Sequence, residues 1–178
     1  RIRNKTNIVD LLQHSLSDFG ITQPHEPLYI PLNQSDLAFA THFLAQRKVP
    51  EDALLIGLHP GAGHLLAHKV WPAHCFAELA NKLHQKHNAH ILLNGTAREV
   101  RTIIPEINKH LTFQPILAAG ETTIKQAAAL IKKCALFISN DSGPMHISAA
   151  MCTPTIGLFG ATMPFEARPY GKGHMAVV

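Results

Sequence analysis

The sequence predicts an α/β domain built on an open parallel sheet with helices on both faces. Three observations carry this. Short apolar runs at residues 54–58, 89–93 and 135–139 have the length of buried strands. Segments with helical spacing separate them, and such alternation marks βαβ units and a parallel sheet. Between Cys134 and Gly160 a strand, a turn (Asn140-Asp141-Ser142-Gly143-Pro144), a small-residue helix (146–151) and a second strand (155–159) follow without a break.

Taken in order, residues 4–19 carry Ile8, Leu11, Leu12 and Leu16 at helical spacing, and Gly20 stops the run. This reads as a connector helix within residues 1–22. Pro24 and Pro27 frame an extended piece at 28–30, and residues 34–47 form a second helix with Leu37, Phe39, Ala40, Phe43 and Leu44 facing inward. Val49-Pro50-Glu51-Asp52 is a turn. The regular part begins there: strand 54–58, helix 72–87, strand 89–93, helix 97–110, a short apolar piece at Ile116-Leu117, helix 123–133 and then the central unit. Residues 175–178 read as one more strand. The chain ends on that apolar run, so the domain at 23–178 is expected to be truncated at its carboxyl end.

The 178 residues fit one domain, a size that buries roughly 70% of the surface its unfolded chain exposes. Cys75, Cys134 and Cys152 are odd in number, flanked by apolar residues and lack C-x-x-C spacing, so they read as reduced core thiols of a cytosolic protein. No stretch approaches the ~18 apolar residues of a membrane span, and no signal peptide opens the chain. A formal charge of +4 and a pI near 9.1 favour anionic ligands. The cations are scattered and only 6% of residues are aromatic, which argues against a nucleic-acid partner.

The central turn is the candidate site. Pro144 suits the first turn of a helix, where its missing N–H would have had no partner, so the helix opens beside Ser142 and Gly143. A helix that opens at the carboxyl end of a parallel strand presents free N–H groups and a positive dipole end to anions. His146, in the first turn, is either a capping or packing residue or a ligand contact. Two further stretches share that edge. In His59-Pro60-Gly61-Ala62-Gly63, the glycines right after a strand let the backbone approach a ligand closely. Lys69 precedes the helix that Pro72 opens and can reach a phosphate, although spacing alone favours a solvated lysine beside a packed Trp71. Asn94-Gly95-Thr96 is another strand-to-helix turn.

Known nucleotide and catalytic motifs fail on inspection. Gly61-Ala62-Gly63 starts like a dinucleotide fingerprint, but Leu66 stands where its third glycine belongs. Gly171-Lys172-Gly173 lacks the upstream glycine and the Ser/Thr of a P-loop, and the turn at Ser142 lacks the first glycine of a nucleophile elbow. His64/His68 and His84/His87/His90 have helical spacing but no carboxylate or cysteine partners, so neither a metal nor a cofactor is expected.

His59-Pro60-Gly61-Ala62, Lys69-Val70-Trp71-Pro72, Gly120-Glu121-Thr122-Thr123, Asn140-Asp141-Ser142-Gly143-Pro144-Met145-His146, Leu158-Phe159-Gly160 and Pro169-Tyr170-Gly171 together resemble the successive motifs of the ADP-heptose:lipopolysaccharide heptosyltransferase family. The resemblance implies the carboxyl-terminal, nucleotide-sugar-binding half of a GT-B enzyme, in which two Rossmann-like domains face each other across a cleft. It further implies that Lys69 neutralises the donor diphosphate, and that Ser142, Gly143 and the following amides, Met145 included, hold it together with His146. Thr122 and Thr123 would lie along the adenosine, while Asp141 and Gly61 orient the loops. The implied partners are ADP-heptose and, for the full-length enzyme, a lipopolysaccharide core acceptor. The implied place is the cytoplasm, with peripheral association at the inner face of the inner membrane. The general base is expected on the amino-terminal half. One departure stands out: where related enzymes carry a carboxylate after the Gly95 turn to grip the ribose, this chain has Ala97 and Arg98, with Glu99 one step further. The alternatives are a stand-alone nucleotide-binding module and a nucleotide-sugar epimerase.

Overall fold

The computed structural model describes residues 6–21, 27–63, 69–160 and 162–178. The connector boundary near residue 22, Pro24 and the His64/His68 pair lie outside them. In chain order the elements are α1 (Ile8–Ser17), α2 (Gln34–Gln46), β1 (Leu55–His59), α3 (Ala73–His87), β2 (His90–Leu93), α4 (Ala97–Arg101), α5 (Ile103–Asn108), β3 (Ile116–Leu117), α6 (Ile124–Lys132), β4 (Leu136–Asn140), α7 (Gly143–Ala150), β5 (Thr155–Leu158), α8 (Pro164–Ala167) and β6 (His174–Val177).

The six strands form one sheet in the order β3-β2-β1-β4-β5-β6, and every pairing is parallel. The expected α/β architecture is thus present, doubly wound, with the order reversing between β1 and β4. All five residues of β1 are buried at the centre of the sheet. Gly57 is needed there, because a Cβ at that position would stand 2.5 Å from the Phe137 ring of β4. One face packs Ile56, Leu58, Ile91, Leu93 and Ile138 against Phe76, Ala77 and Ala80 of α3 and Ile104 and Ile107 of α5. The other packs Leu55 and Leu92 against Ala40 and Phe43 of α2 and Ala129 and Leu130 of α6. Burial of these side chains is the main stabilising contribution, at roughly 1.5–3 kcal/mol for each large one.

Two expectations are corrected. The helix at 97–110 is two helices, broken at Thr102 (φ −119°, ψ −86°). Pro105 explains this: it has no N–H for the carbonyl of Arg101 and its ring crowds that turn. Cys152 is no core thiol. It is exposed, with φ of 57°, in the turn that follows α7, while Cys134 is buried and Cys75 half-buried. Burial pushes the Cys134 thiol up to about 12. The short helix α8 carries no sequence expectation. The piece at 28–30 joins no sheet; Leu28, Ile30 and Leu32 instead pack on Ala128 of α6 and Ala150 and Met151 beside α7.

α1 is capped by Asn7, whose side chain accepts from the Val9 N–H and donates to the Arg168 carbonyl at 2.9 Å. Tyr170 donates to Asp10 at 2.8 Å. No residue within α1 is buried, and Ile8, Leu12, Leu16 and the following Phe19 are exposed.

Candidate functional site

The reversal between β1 and β4 sends their following loops to opposite faces and leaves a crevice at the carboxyl ends of the strands. Ser142, extended at φ −158°, is the N-cap of α7, but its hydroxyl makes no capping bond. It lies 3.1 Å from the Ser139 hydroxyl, which itself donates to the Asn140 carbonyl. Pro144 has no N–H, and the Met145 N–H donates back to the Ser142 carbonyl at 3.1 Å. The Gly143 N–H, at the positive end of the helix dipole, has no acceptor among the described residues. A Cβ on Gly143 would meet nothing within 4 Å, so the approach is open. An anion fits that position.

Lys69 is not a solvated lysine. Its Nζ donates to Asp141 Oδ2 at 2.6 Å, and the two side chains are only 16% and 8% exposed. Thr162 donates to the same oxygen at 2.7 Å. Asp141 therefore ties the segment before α3 and the segment after β5 to the start of α7. One Lys69 proton lies on Asp141, and an ammonium has two more to offer a ligand. His146 is half-buried in the first turn of α7; burial lowers its pKa while the Asp141 charge acts in the opposite sense. A cavity of about 260 Å³ opens beside Lys69, lined by Trp71, Asn140, Leu158 and Val177 among others. Trp71 packs edge-on against Phe76, with ring centroids 5.0 Å apart.

The β1 and β2 side is organised differently. A Cβ on Gly61 would come within 2.7 Å of Glu99 Oε1, so this glycine makes room for a carboxylate of the chain itself. Glu99 is buried and caps α4, accepting from the Thr96 N–H at 2.8 Å and the Thr96 hydroxyl at 2.5 Å. Burial raises the Glu99 carboxyl, but the two Thr96 bonds and nearby His59 outweigh that and hold it below its ordinary value. His59, buried with Nδ1 3.2 Å from the Asn94 carbonyl, is lowered by burial, with Glu99 opposing. Thr123 caps α6 in a reciprocal box: its hydroxyl accepts from the Gln126 N–H and its own N–H donates to the Gln126 side chain. Thr122 is half-buried beside it.

Lys69, Asp141, Ser142, Gly143 and His146 are thus gathered at one place. Thr122 and Thr123 lie past β3, at the far edge of the sheet. The Met145 side chain is fully buried, its sulfur where a side chain on Gly157 would fall, and its amide is already bonded. Sequence reasoning missed Thr162 and gave Asn140 no role of its own. Nothing local marks Thr162, whose bond to Asp141 spans 21 residues. His84 stacks on Phe113 at 4.1 Å, and among the described residues no group of three or more His, Cys, Asp or Glu side chains could hold a metal ion.

The sequence profile described as glycosyltransferase family 9 (heptosyltransferase) matches residues 6–178. The chain belongs to that family. It is 34% identical over 154 residues to the lipopolysaccharide core heptosyltransferase OpsX of Haemophilus influenzae, covering 86% of this chain and 42% of the relative. The fold matches the glycosyl transferase family 9 structure from Veillonella parvula at a TM-score of 0.89 and 26% identity, over 98% of this chain and 49% of that one. The E. coli ADP-heptose lps heptosyltransferase II matches at a TM-score of 0.74 and 27% identity, over 88% of this chain and 47% of that one. E. coli heptosyltransferase WaaC, solved with ADP, shares the fold at a TM-score of 0.61 and 23% identity, over 82% of this chain and 44% of that one. The family 9 chain thus spans about half the length of the solved structures it matches, and its six-stranded α/β unit corresponds to one half of GT-B heptosyltransferases. Among the described residues no helix is long and apolar enough to cross a membrane.

Proposed function

We propose that this chain is the donor-binding domain of an inverting glycosyltransferase that moves heptose from ADP-heptose to the inner core of lipopolysaccharide. Residues 1–22 connect it to an amino-terminal half that carries the acceptor site and the general base, and residues 23–178 hold the donor. The observation that carries this reading is the Gly143 N–H without an acceptor among the described residues at the α7 start, next to Asp141, which holds the Lys69 ammonium at 2.6 Å. As the sugar leaves, negative charge grows on the β-phosphate. A fixed cation and a helix dipole aimed at that oxygen stabilise the transition state more than the ground state. Ser142 and His146 flank the diphosphate. Thr122 and Thr123 lie along the adenosine and contribute backbone and methyl groups, since the Thr123 hydroxyl is engaged in its cap. The solved relative with ADP supports the choice of nucleotide.

The test is paired. Lys69→Ala is expected to weaken ADP binding about ten- to hundredfold, the worth of a charge-assisted hydrogen bond, and to leave adenosine affinity unchanged. Equal losses for the two ligands would overturn the phosphate role. Heptose transfer is expected only from the full-length enzyme, because orientation of the acceptor and base catalysis both need the other half.

A further inference from the structure

Asn140, the last residue of β4, is fully buried, and both ends of its side-chain amide are engaged. Nδ2 donates to the Pro60 carbonyl at 2.7 Å, and Oδ1 accepts from the Trp71 backbone N–H at 3.1 Å. Pro60 follows β1 and Trp71 precedes α3, so these partners are the two ends of the connection that carries Lys69. We infer that Asn140 is a positioning residue for the diphosphate site: its amide clamps both ends of the 60–71 connection and so sets where Lys69 stands over the α7 start. This rests on the donor-site reading above and adds to it a residue that touches no ligand.

The residue type follows from the geometry. The buried Pro60 carbonyl and the partly buried Trp71 N–H are both satisfied by one short planar group, and an amide offers a donor and an acceptor at fixed spacing. An ionised carboxylate only accepts, and would set an oxygen against the Pro60 carbonyl. A neutral carboxylic acid regains a donor. Asn140→Asp is therefore nearly isosteric and can be switched by pH. The charged and titratable groups around it are Lys69, Asp141 and His146, with His59 and Glu99 on the β1 side. Burial and Asp141 favour the neutral acid and Lys69 the ionised form. Dividing each affinity by that of the wild type at the same pH removes the titration of the native groups and of the ligand.

The experiment measures ADP and adenosine affinities of full-length wild type, Asn140→Asp, Lys69→Ala and the double variant at about pH 5.5 and about pH 8, on either side of the range expected for a buried carboxyl. At the higher pH Asn140→Asp is expected to lose about tenfold or more in ADP affinity, from one broken bond and one unsatisfied buried carbonyl, with adenosine changed less than about twofold. At the lower pH its ADP affinity returns to within about twofold of wild type, and in the Lys69→Ala background its cost at high pH falls below about twofold. Asn140→Ser is the uncharged control. Its short hydroxyl cannot span both partners, so it loses ADP affinity equally at both pH values. The inference is overturned if Asn140→Asp or Asn140→Ser binds ADP like wild type at high pH. It is equally overturned if Asn140→Asp costs as much with Lys69 absent, which would mark a general structural role. Lys69→Ala binding ADP as well as wild type would sink the donor-site reading itself, in an arm separate from the Asn140 variants.

Discussion

At the start of α7 the Gly143 N–H meets no acceptor among the described residues and the space before it is open. At the starts of α4 and α6 side chains close the first turn: Glu99 and Gln126 accept from the N-cap N–H groups of Thr96 and Thr123, whose hydroxyls accept from the N–H groups of Arg98 and Gln126. All three are helix starts that follow a strand and carry Ser or Thr at the N-cap. The difference lies in position N3. Glutamate and glutamine there reach back to close a capping box, whereas α7 has Met145, whose side chain turns into the core. A helix start without a side chain able to close it keeps its donors for a ligand. Asp141, one residue before the cap, fixes a cation beside that start instead of capping it.

Four measurements can break or sharpen that contrast. The largest effect is expected from Gly143→Val. Its Cβ meets nothing beyond its chain neighbours, but a branched residue in helical conformation before Pro144 costs about 1 kcal/mol of stability; the folded variant has the anion's approach filled and its ADP affinity lowered by about a hundredfold or more. Titration showing undiminished ADP binding would remove the α7 start from the site. Next, Gly61→Ala drives a methyl group to within 2.7 Å of the Glu99 carboxylate. It should prise Glu99 from Thr96 and destabilise the domain by about 1–3 kcal/mol in urea unfolding; an unchanged midpoint would mean that the cap has slack. Thr123→Val, which keeps the methyl group and removes only the hydroxyl, should cost about 1 kcal/mol through the lost cap, while calorimetry finds ADP affinity altered less than about twofold. A larger loss would show the hydroxyl at work on the nucleoside. The smallest effect is the pH dependence of stability from His59, whose pKa burial lowers in the folded state. The fold favours its neutral form, so this contribution is complete above the unfolded pKa and is lost as pH falls through the folded one. Urea midpoints should decline on acidification below pH ~6.5, less steeply in His59→Gln; identical slopes would assign the decline to other groups.

Much of this was legible because it is periodic. Buried parallel strands are short apolar runs, and β1, β2, β4 and β5 lie within one residue of their expected bounds. Pro144 and Gly143 placed the α7 start for local steric reasons. Pro105 was equally visible, and its power to split the helix at 97–110 was underweighted against an otherwise helical spacing. α8 holds four residues, too few for any period to register. What the sequence cannot display is the partner of a polar side chain. The spacing around Lys69 favours a solvated lysine, and only the fold shows its ammonium 2.6 Å from Asp141. Glu99 stood one position beyond the expected ribose contact, and only its inward turn against Gly61 shows it closing α4 instead.

The bond from Asn140 to Pro60 spans 80 residues and that from Lys69 to Asp141 spans 72, whereas the caps of α4 and α6 close over three. Contacts so far apart in sequence form only after the entropy of closing the intervening loop has been overcome, and proteins dominated by them fold slowly. The two helix caps can form while the chain is still loose. The proposed diphosphate site has no partial version: until β1 and β4 lie side by side, Lys69 and the α7 start belong to separate stretches of polypeptide. On the proposed donor-site reading, a newly made or half-refolded chain has nothing with which to hold ADP, and the onset of nucleotide binding is expected to mark completion of the central sheet.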